Sequence, residues 1–477
     1  MSSAPHIPVL RQGQPYTSLD VADIKRLGSD EVVARVSQAN PGLVRRDLLD
    51  IASAQAALKK IPAADLVKIA EQAGHYFLHD SLPVGDATQS PEDYLHQLHA
   101  TSGLPHTLIR MNQAKLHSLF GQMGQILAGL SRGVPLEVFD TAVGHQGSIP
   151  VSYSPVTSSL GVILPSNSPA VNALWMPSII MKVPVVLKPG REEPWTPYRI
   201  IQAFLKAGAP PEAFSFYPTS HEGSANIISR CGRVMLFGDD STVAKHAHDP
   251  RVEVHGTGHS KLLIGEDKID QWQDYLDIIE ESVSANSGRS CINTSTILVP
   301  RHADAIATAL AARLAKIQPL GADDPAARLA GFANPAFADY IDGAVTDGLK
   351  EPGARDCSAE ARGGTPRRIT RDGLEFLLPT VVRLDSPDHI LFNREFLFPF
   401  VQVVELAQDQ MIEPLGYTLV ATAITDDPLW IDQLIACPDI ERLNIGPHPT
   451  NRIDWDQPHE GNLFEFLYKR RAVHRAA

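Results

Sequence analysis

The chain predicts an α/β fold of two doubly wound open sheets with a small additional β element, and three observations carry that expectation. Short apolar runs alternate with helix-length stretches from residue 160, a second such cycle begins at residue 261, and 477 residues suit two or three domains at roughly 150 residues each. In the first cycle LGVILP (160–165) and VPVVLK (183–188) read as strands with a helix-length stretch between them. PWTPYRIIQAFLKAGAP (194–210) reads as a helix that opens after proline and closes at Gly208, and FSFYP (214–218) and VMLFG (234–238) as the next two strands. The second cycle runs KLLIG (261–265), a helix over 271–286, TSTILVP (294–300), a helix over 303–316, and strands near 374–382 and 400–406. Uninterrupted apolar strands joined by helices predict parallel sheets buried on both faces.

Before residue 160 the periodicity is mostly helical. Residues 1–45 are mixed with short helical patches, and 46–73 is rich in Ala and Leu with apolar residues three and four apart. Prolines and glycines interrupt 81–104, and the helical pattern resumes over 108–130. Alternation over 148–159 predicts an extended hairpin, and the Gly- and Arg-rich stretch 353–371 an exposed loop.

Composition narrows the function class. The 42 Lys+Arg against 55 Asp+Glu give a net charge of −13 with no basic run, which argues against nucleic acid as a partner. Cys231, Cys291, Cys357 and Cys437 are too few and too scattered for a disulfide scaffold, and none forms a CxxC pair that would point to zinc. The opening MSSAPHIPVLRQGQ lacks the basic and apolar regions of a secretion signal. Residues 160–181 carry no charge and are long enough to span a bilayer, yet Pro165, Pro169, Pro177, Asn167 and Asn172 would break a lipid-exposed helix. The expectation is a soluble, cytoplasmic protein without a membrane segment.

The most informative string is Asn286-Ser-Gly-Arg-Ser-Cys291, which ends one helical stretch just before the strand at 294. There a thiol can meet backbone N–H groups that favour its thiolate, and Gly288 lets backbone approach closely. Alone, such a cysteine is more often a packing residue. Its weight comes from other strings in order. Pro165-Ser-Asn167-Ser-Pro169 holds an amide that reads equally as an oxyanion donor or as an Asn turn. Val185-Val-Leu-Lys188-Pro189-Gly190 sets a cation at the C-terminal edge of a strand, where open sheets bind ligands. Asn393-Arg-Glu395-Phe-Leu-Phe-Pro399 puts a carboxylate ahead of another strand, or a plain surface acid there.

Together these strings resemble the aldehyde dehydrogenase superfamily from about residue 45 to the C-terminus, since Asn-x-Gly-x-x-Cys, Pro-x-Asn-x-Pro and Val-Val-x-Lys-Pro occur in the family's order. The resemblance implies that Cys291 is the nucleophile and Asn167 the oxyanion donor. Lys188 would contact the adenosine ribose and Glu395 the nicotinamide ribose, with Pro165, Arg191, Ser241 and Gly258 also at the cofactor. It implies a helical N-terminal part (1–147) and a Rossmann-like part (160–260) of a cofactor-binding domain, and a catalytic domain (261–445). An oligomerisation hairpin (148–159) and a C-terminal segment (446–477) whose residues 463–473 supply an edge strand would pair subunits into a homodimer or a homotetramer. The implied chemistry is attack of the Cys291 thiolate on an aldehyde, hydride transfer to the nicotinamide, and release of the resulting thioester by water or another thiol. The reverse course reduces an acyl-CoA.

Three departures refine this. Where hydrolytic members carry the Glu that activates the deacylating water, counting back from Cys291 by the family's interval lands on Thr257, in Val254-His-Gly-Thr257-Gly258-His259. A threonine is no base near neutral pH. The Gly-rich string resembles the CoA-acylating branch, and Met176 after Trp175, in place of a proposed proton-relaying Lys, agrees; CoA is the expected co-substrate. Glu253, four residues upstream, remains an alternative base. Arg191 stands where NAD-preferring members often have an acid, so the cofactor is NAD or NADP with a lean to NADP. Phe237-Gly-Asp239-Asp240-Ser241-Thr242 replaces the family's Phe-Thr-Gly-Ser and sets acids beside the expected pyrophosphate.

His255 and His259 have a spacing that suits a metal only on a helix, and Gly256-Thr-Gly258 between them excludes one, so no metal is expected. Two rival readings stand beside the redox enzyme: a nicotinamide-independent acyl transferase using Cys291, and a non-catalytic protein that keeps the fold.

Overall fold

The computed structural model describes residues 4–473, apart from the side chain of Asp240, and the chain forms two compact units. Residues 1–3 and 474–477, included in the expected terminal segments, lie outside the described residues. The first unit holds the chain up to Thr101, Ile109–Gly256 and the chain from Ile453 on; the second holds Ser102–Leu108 and Thr257–Arg452. Each is an α/β body around a seven-stranded sheet.

In the first unit the strands run, across the sheet, Val252–His255, Arg233–Phe237, Leu160–Ile163, Val185–Lys188, Phe214–Phe216, Val9–Arg11 and Gln14–Tyr16. The first five pair in parallel and the last two antiparallel. The chain starts at Leu160–Ile163, builds outward on one side, then crosses to the other, which makes a switch point where ligands bind at the carboxyl ends of such strands. That edge carries Pro165, Lys188 and Gly238.

In the second unit the order is Ala354–Asp356, Thr380–Leu384, Phe400–Glu405, Thr294–Val299, Ser260–Ile264, Thr418–Ile424 and Ile440–Ile445, all parallel except the first pair. Its strands alternate between two cores. Leu262, Ile264, Ile297, Val299, Val401 and Val403 face one, and Leu263, Leu298, Val404, Ala421 and Ala423 the other.

Several elements differ from the sequence reading. Between residues 4 and 40 the chain forms short strands, with a three-stranded sheet of His6–Ile7, Val32–Ser37 and Val21–Lys25 in place of helical patches, and a helix begins only at Pro41–Asp47. The interrupted stretch 81–104 contains the helix Pro91–Ser102, and the loop 353–371 contains two strands, Ala354–Asp356 and Arg368–Arg371, and a short helix between them. The stretch after Pro165, rich in proline, forms only the 3-10 turns of Pro169–Leu174 and the short helix Pro177–Ile180. The helix expected over 271–286 begins as 3-10 turns and is regular only over Leu276–Ser284. Residues 149–155 form the middle strand of a three-stranded antiparallel sheet, paired with Val143–Gln146 and Tyr468–Arg471. No helix among the described residues is long and apolar enough to cross a membrane.

Candidate active site

The loop bearing Cys291 is a strained turn held by many bonds. Asn286, Ser287 and Gly288 take three consecutive left-handed conformations, with φ of 51°, 61° and 65°. Such backbone suits glycine, is tolerated by asparagine and costs serine about 1–3 kcal/mol. The surroundings fix it. The Ser287 hydroxyl accepts the Ala330 N–H at 2.9 Å, and Asn293 accepts the Ser290 N–H at 2.9 Å while donating to the Ser282 and Ala285 carbonyls. A Cβ on Gly288 would lie 2.4 Å from the Phe398 carbonyl carbon, so only glycine fits. Arg289, buried, donates to the carbonyls of Ser102 and Gly331 and stacks over Phe332; its burial lowers the guanidinium pKa to about 10.

Cys291 itself is half-buried at the amino end of the strand Thr294–Val299. Its carbonyl accepts the Ser260 hydroxyl at 2.8 Å, and Gly258 packs so closely that a Cβ there would sit 1.9 Å from the same oxygen. Glu395, half-buried, accepts the His259 N–H at 2.7 Å. Its loop is tied down where Gln402 donates to the Arg394 carbonyl at 2.8 Å. Gly258, Cys291 and Glu395 are thus brought together, through residues 258–260, at the amino edge of one parallel sheet. In an open α/β sheet the carboxyl edge is the usual place for a ligand, so here the loops, rather than strand ends, build the site.

The remaining expected residues gather on the first unit. Lys188 ends its strand half-buried, and desolvation lowers its pKa against the opposing charge of Glu192. Ser166 donates to Glu192 at 2.8 Å, and Gly190 lies against the Pro165 carbonyl, so the loops after two adjacent strands interlock beside Asn167. Arg191 is exposed on that loop. Asp239 caps the helix Asp240–His246 and accepts from the Ser241 hydroxyl, the Thr242 N–H and the Thr242 hydroxyl, which holds its carboxyl below the usual range. Ser241 therefore serves the cap, and the helix's third residue, Thr242, gives its N–H to the capping carboxylate.

Thr257 is half-buried and begins the longer segment of the second unit. Glu253, the alternative base, is engaged elsewhere in the first unit. Its Oε1 lies 3.2 Å from His255 Nε2, while Glu460 lies 3.0 Å from Nδ1 and Phe237 stacks on the ring. Burial alone would lower the imidazole pKa; Glu460 and Glu253 outweigh it and raise it to about 10. Both ring nitrogens lie within ion-pair distance of a carboxylate, which favours the imidazolium. His255 and His259 do not share a helix, since Val252–His255 is a strand. No metal-ligating cluster occurs among the described residues. Met176 is fully buried.

Sequence reasoning passed over Arg289, Asn293, Ser260, Lys261 and Glu460. Arg289 and Asn293 carry the only local signal, polar residues inside and just after the cysteine string. The others act through contacts distant in sequence.

The profile of the aldehyde dehydrogenase family matches residues 95–436. An aminoacetaldehyde dehydrogenase from Pseudomonas aeruginosa is 26% identical over 319 residues, 61% of this chain; the chain spans only 60% of that relative's length. Among solved structures, an NAD-dependent aldehyde dehydrogenase from Sinorhizobium meliloti superposes with a TM-score of 0.78 at 18% identity, covering 99% of this chain and 96% of that one. An aldehyde dehydrogenase from Physcomitrella patens, in complex with its reaction product succinate, gives 0.77 at 16% identity, covering 98% of each. At these identities the structural likeness is one of fold.

Proposed function

The chain belongs to the aldehyde dehydrogenase family, and on that premise we propose that it oxidises an aldehyde with NAD or NADP through a thioester on Cys291 and passes the acyl group to CoA. The observation that carries the reading is the seat of Cys291, half-buried in a loop held by Ser260, Gly258 and Asn293. Such a seat fixes a nucleophile's direction of attack.

In this reading the Cys291 thiolate adds to the carbonyl carbon and gives a thiohemiacetal alkoxide, with Asn167 donating to the oxyanion. A nicotinamide dinucleotide held by Lys188 and Glu395 would supply the hydride acceptor. Collapse leaves a thioester on Cys291, and a second thiol displaces the acyl group and restores the thiolate. Lys188, a partly buried cation at the switch-point edge, suits an anionic dinucleotide, and Glu395 suits ribose hydroxyls. Asp239 fits less well, since its carboxylate occupies the helix end that would face a pyrophosphate. The exposed Arg191 supports NADP over NAD.

Release to CoA is favoured because neither nearby base candidate suits water activation. Thr257 has no basic group, and Glu253 is paired to the His255 imidazolium. The hydrolytic alternative draws on the acid bound to the Physcomitrella patens relative. A paired assay decides between them: a panel of aldehydes with NAD and NADP, each with and without CoA. We expect acyl-CoA formation that requires CoA. Brisk carboxylic acid formation without CoA would replace this reading with the hydrolytic one. Thioester turnover without change at the nicotinamide absorbance band would select the acyl-transferase rival.

A further inference from the structure

We infer that Lys261 is a positioning residue for Glu395 and Cys291, acting through the turn at residues 258–260; the inference rests on the roles proposed above for those two residues. Lys261 is wholly buried in the strand Ser260–Ile264, whose next three residues are apolar. Its amine donates to the His259 carbonyl at 2.8 Å and to the Thr418 hydroxyl at 2.9 Å. Thr418 opens the neighbouring strand, so the amine fastens the turn to the sheet.

The fastened residue is strained. His259 has φ of +47°, a left-handed conformation that a non-glycine residue holds only when its surroundings over-determine it. Its backbone is gripped on both sides, at the N–H by Glu395 and at the carbonyl by Lys261. The residues flanking it both touch the Cys291 carbonyl, Gly258 by close packing and Ser260 through its hydroxyl. The Gly258 carbonyl is in turn bound by the Leu419 N–H at 2.8 Å. Loosening His259 would therefore withdraw the donor from Glu395 and shift the support beneath Cys291 together. Burial pushes the Lys261 pKa down to about 7, opposed by the charge of Glu395. An apolar side chain would fill the same space without that cost, so what the amine adds is its two hydrogen bonds.

The test compares wild type, K261M, T418V, E395Q and the K261M/E395Q double variant. Two readouts on the resting protein suffice: dissociation constants for NADH and NADPH by fluorescence titration, and the rate of Cys291 alkylation by iodoacetamide followed by mass spectrometry. Thermal unfolding checks that each variant is folded. K261M should bind dinucleotide at least about fivefold more weakly, the worth of a lost hydrogen bond. Its Cys291 alkylation rate should change by a similar factor, and T418V should move both readouts the same way by less. The double variant should bind no more weakly than E395Q, because Lys261 acts through Glu395. Folded K261M with wild-type binding and alkylation would overturn the inference; should K261M not fold, an unchanged T418V would do so. Wild-type binding by E395Q would instead overturn Glu395 as a cofactor ligand, and Lys261 would be judged on alkylation alone. NAD(P)H production retained in C291S would overturn the nucleophile.

Discussion

His255 shows how one residue can settle a chemical question that its neighbours leave open. With Glu460 and Glu253 at 3.0 and 3.2 Å from its two nitrogens, it is a buried cation between two acids. Its folded pKa of about 10 lies above the ordinary 6.5, so the folded state holds the proton more tightly than the unfolded one. That stabilisation is full below about pH 6.5 and is lost as pH rises through about 10. H255Q leaves two carboxylates without a counter-charge and is expected to cost about 3–5 kcal/mol at pH 7. In urea unfolding the gap to wild type should narrow between pH 7 and pH 10; a gap constant with pH would contradict the imidazolium. Burial raises the Cys231 thiol to about 12 and pushes Cys357 up as well.

At the scale of elements, the cysteine loop depends on glycine in a way that sequence spacing only hinted at. Gly288 combines φ of +65° with contact against the Phe398–Pro399 backbone. G288A should destabilise the protein by several kcal/mol, on the order of 3, and depress turnover, since the loop cannot keep its path. Near wild-type melting and turnover in G288A would show the loop to be more adaptable than its packing implies. The central strands Leu160–Ile163, Val185–Lys188, Phe214–Phe216, Ser260–Ile264, Thr294–Val299 and Phe400–Glu405 were readable because each is a short, mostly buried apolar run. Val252–His255, Ala354–Asp356, Thr418–Ile424 and Ile440–Ile445 of the same sheets were not read as strands. Nor were the N-terminal strands. Gln14–Tyr16 has no buried residue and carries a proline, and Val21–Lys25 is mostly exposed, so neither offers a hydrophobic period to read. Their pairing partners define them, and those lie elsewhere in the chain.

At the scale of the molecule, the sheet formed by Val143–Gln146, Ile149–Pro155 and Tyr468–Arg471 joins distant parts of the first unit. Phe139, Tyr153, Phe464 and Tyr468 pack on one another beside it, and the Tyr468 hydroxyl donates to the Met181 carbonyl. We propose that this sheet pairs subunits through its outer strands. Light scattering should give the mass of a dimer or tetramer, and a proline in place of Lys469 should shift it toward monomer. A monomeric wild type would rule the proposal out.

The sequence by itself determined the rhythm of two α/β sheets and the order of the strings around Asn167, Lys188, Cys291 and Glu395, because burial period, glycine and proline act locally. Only the tertiary structure decided that His255 sits between Glu253 and Glu460, and that Lys261 and Ser260 brace the ground beneath Cys291 and Glu395. The contacts that decide this, of Glu460 with His255, Ser260 with Cys291, His259 with Glu395 and Lys261 with Thr418, join residues tens to hundreds of positions apart, which no local pattern encodes.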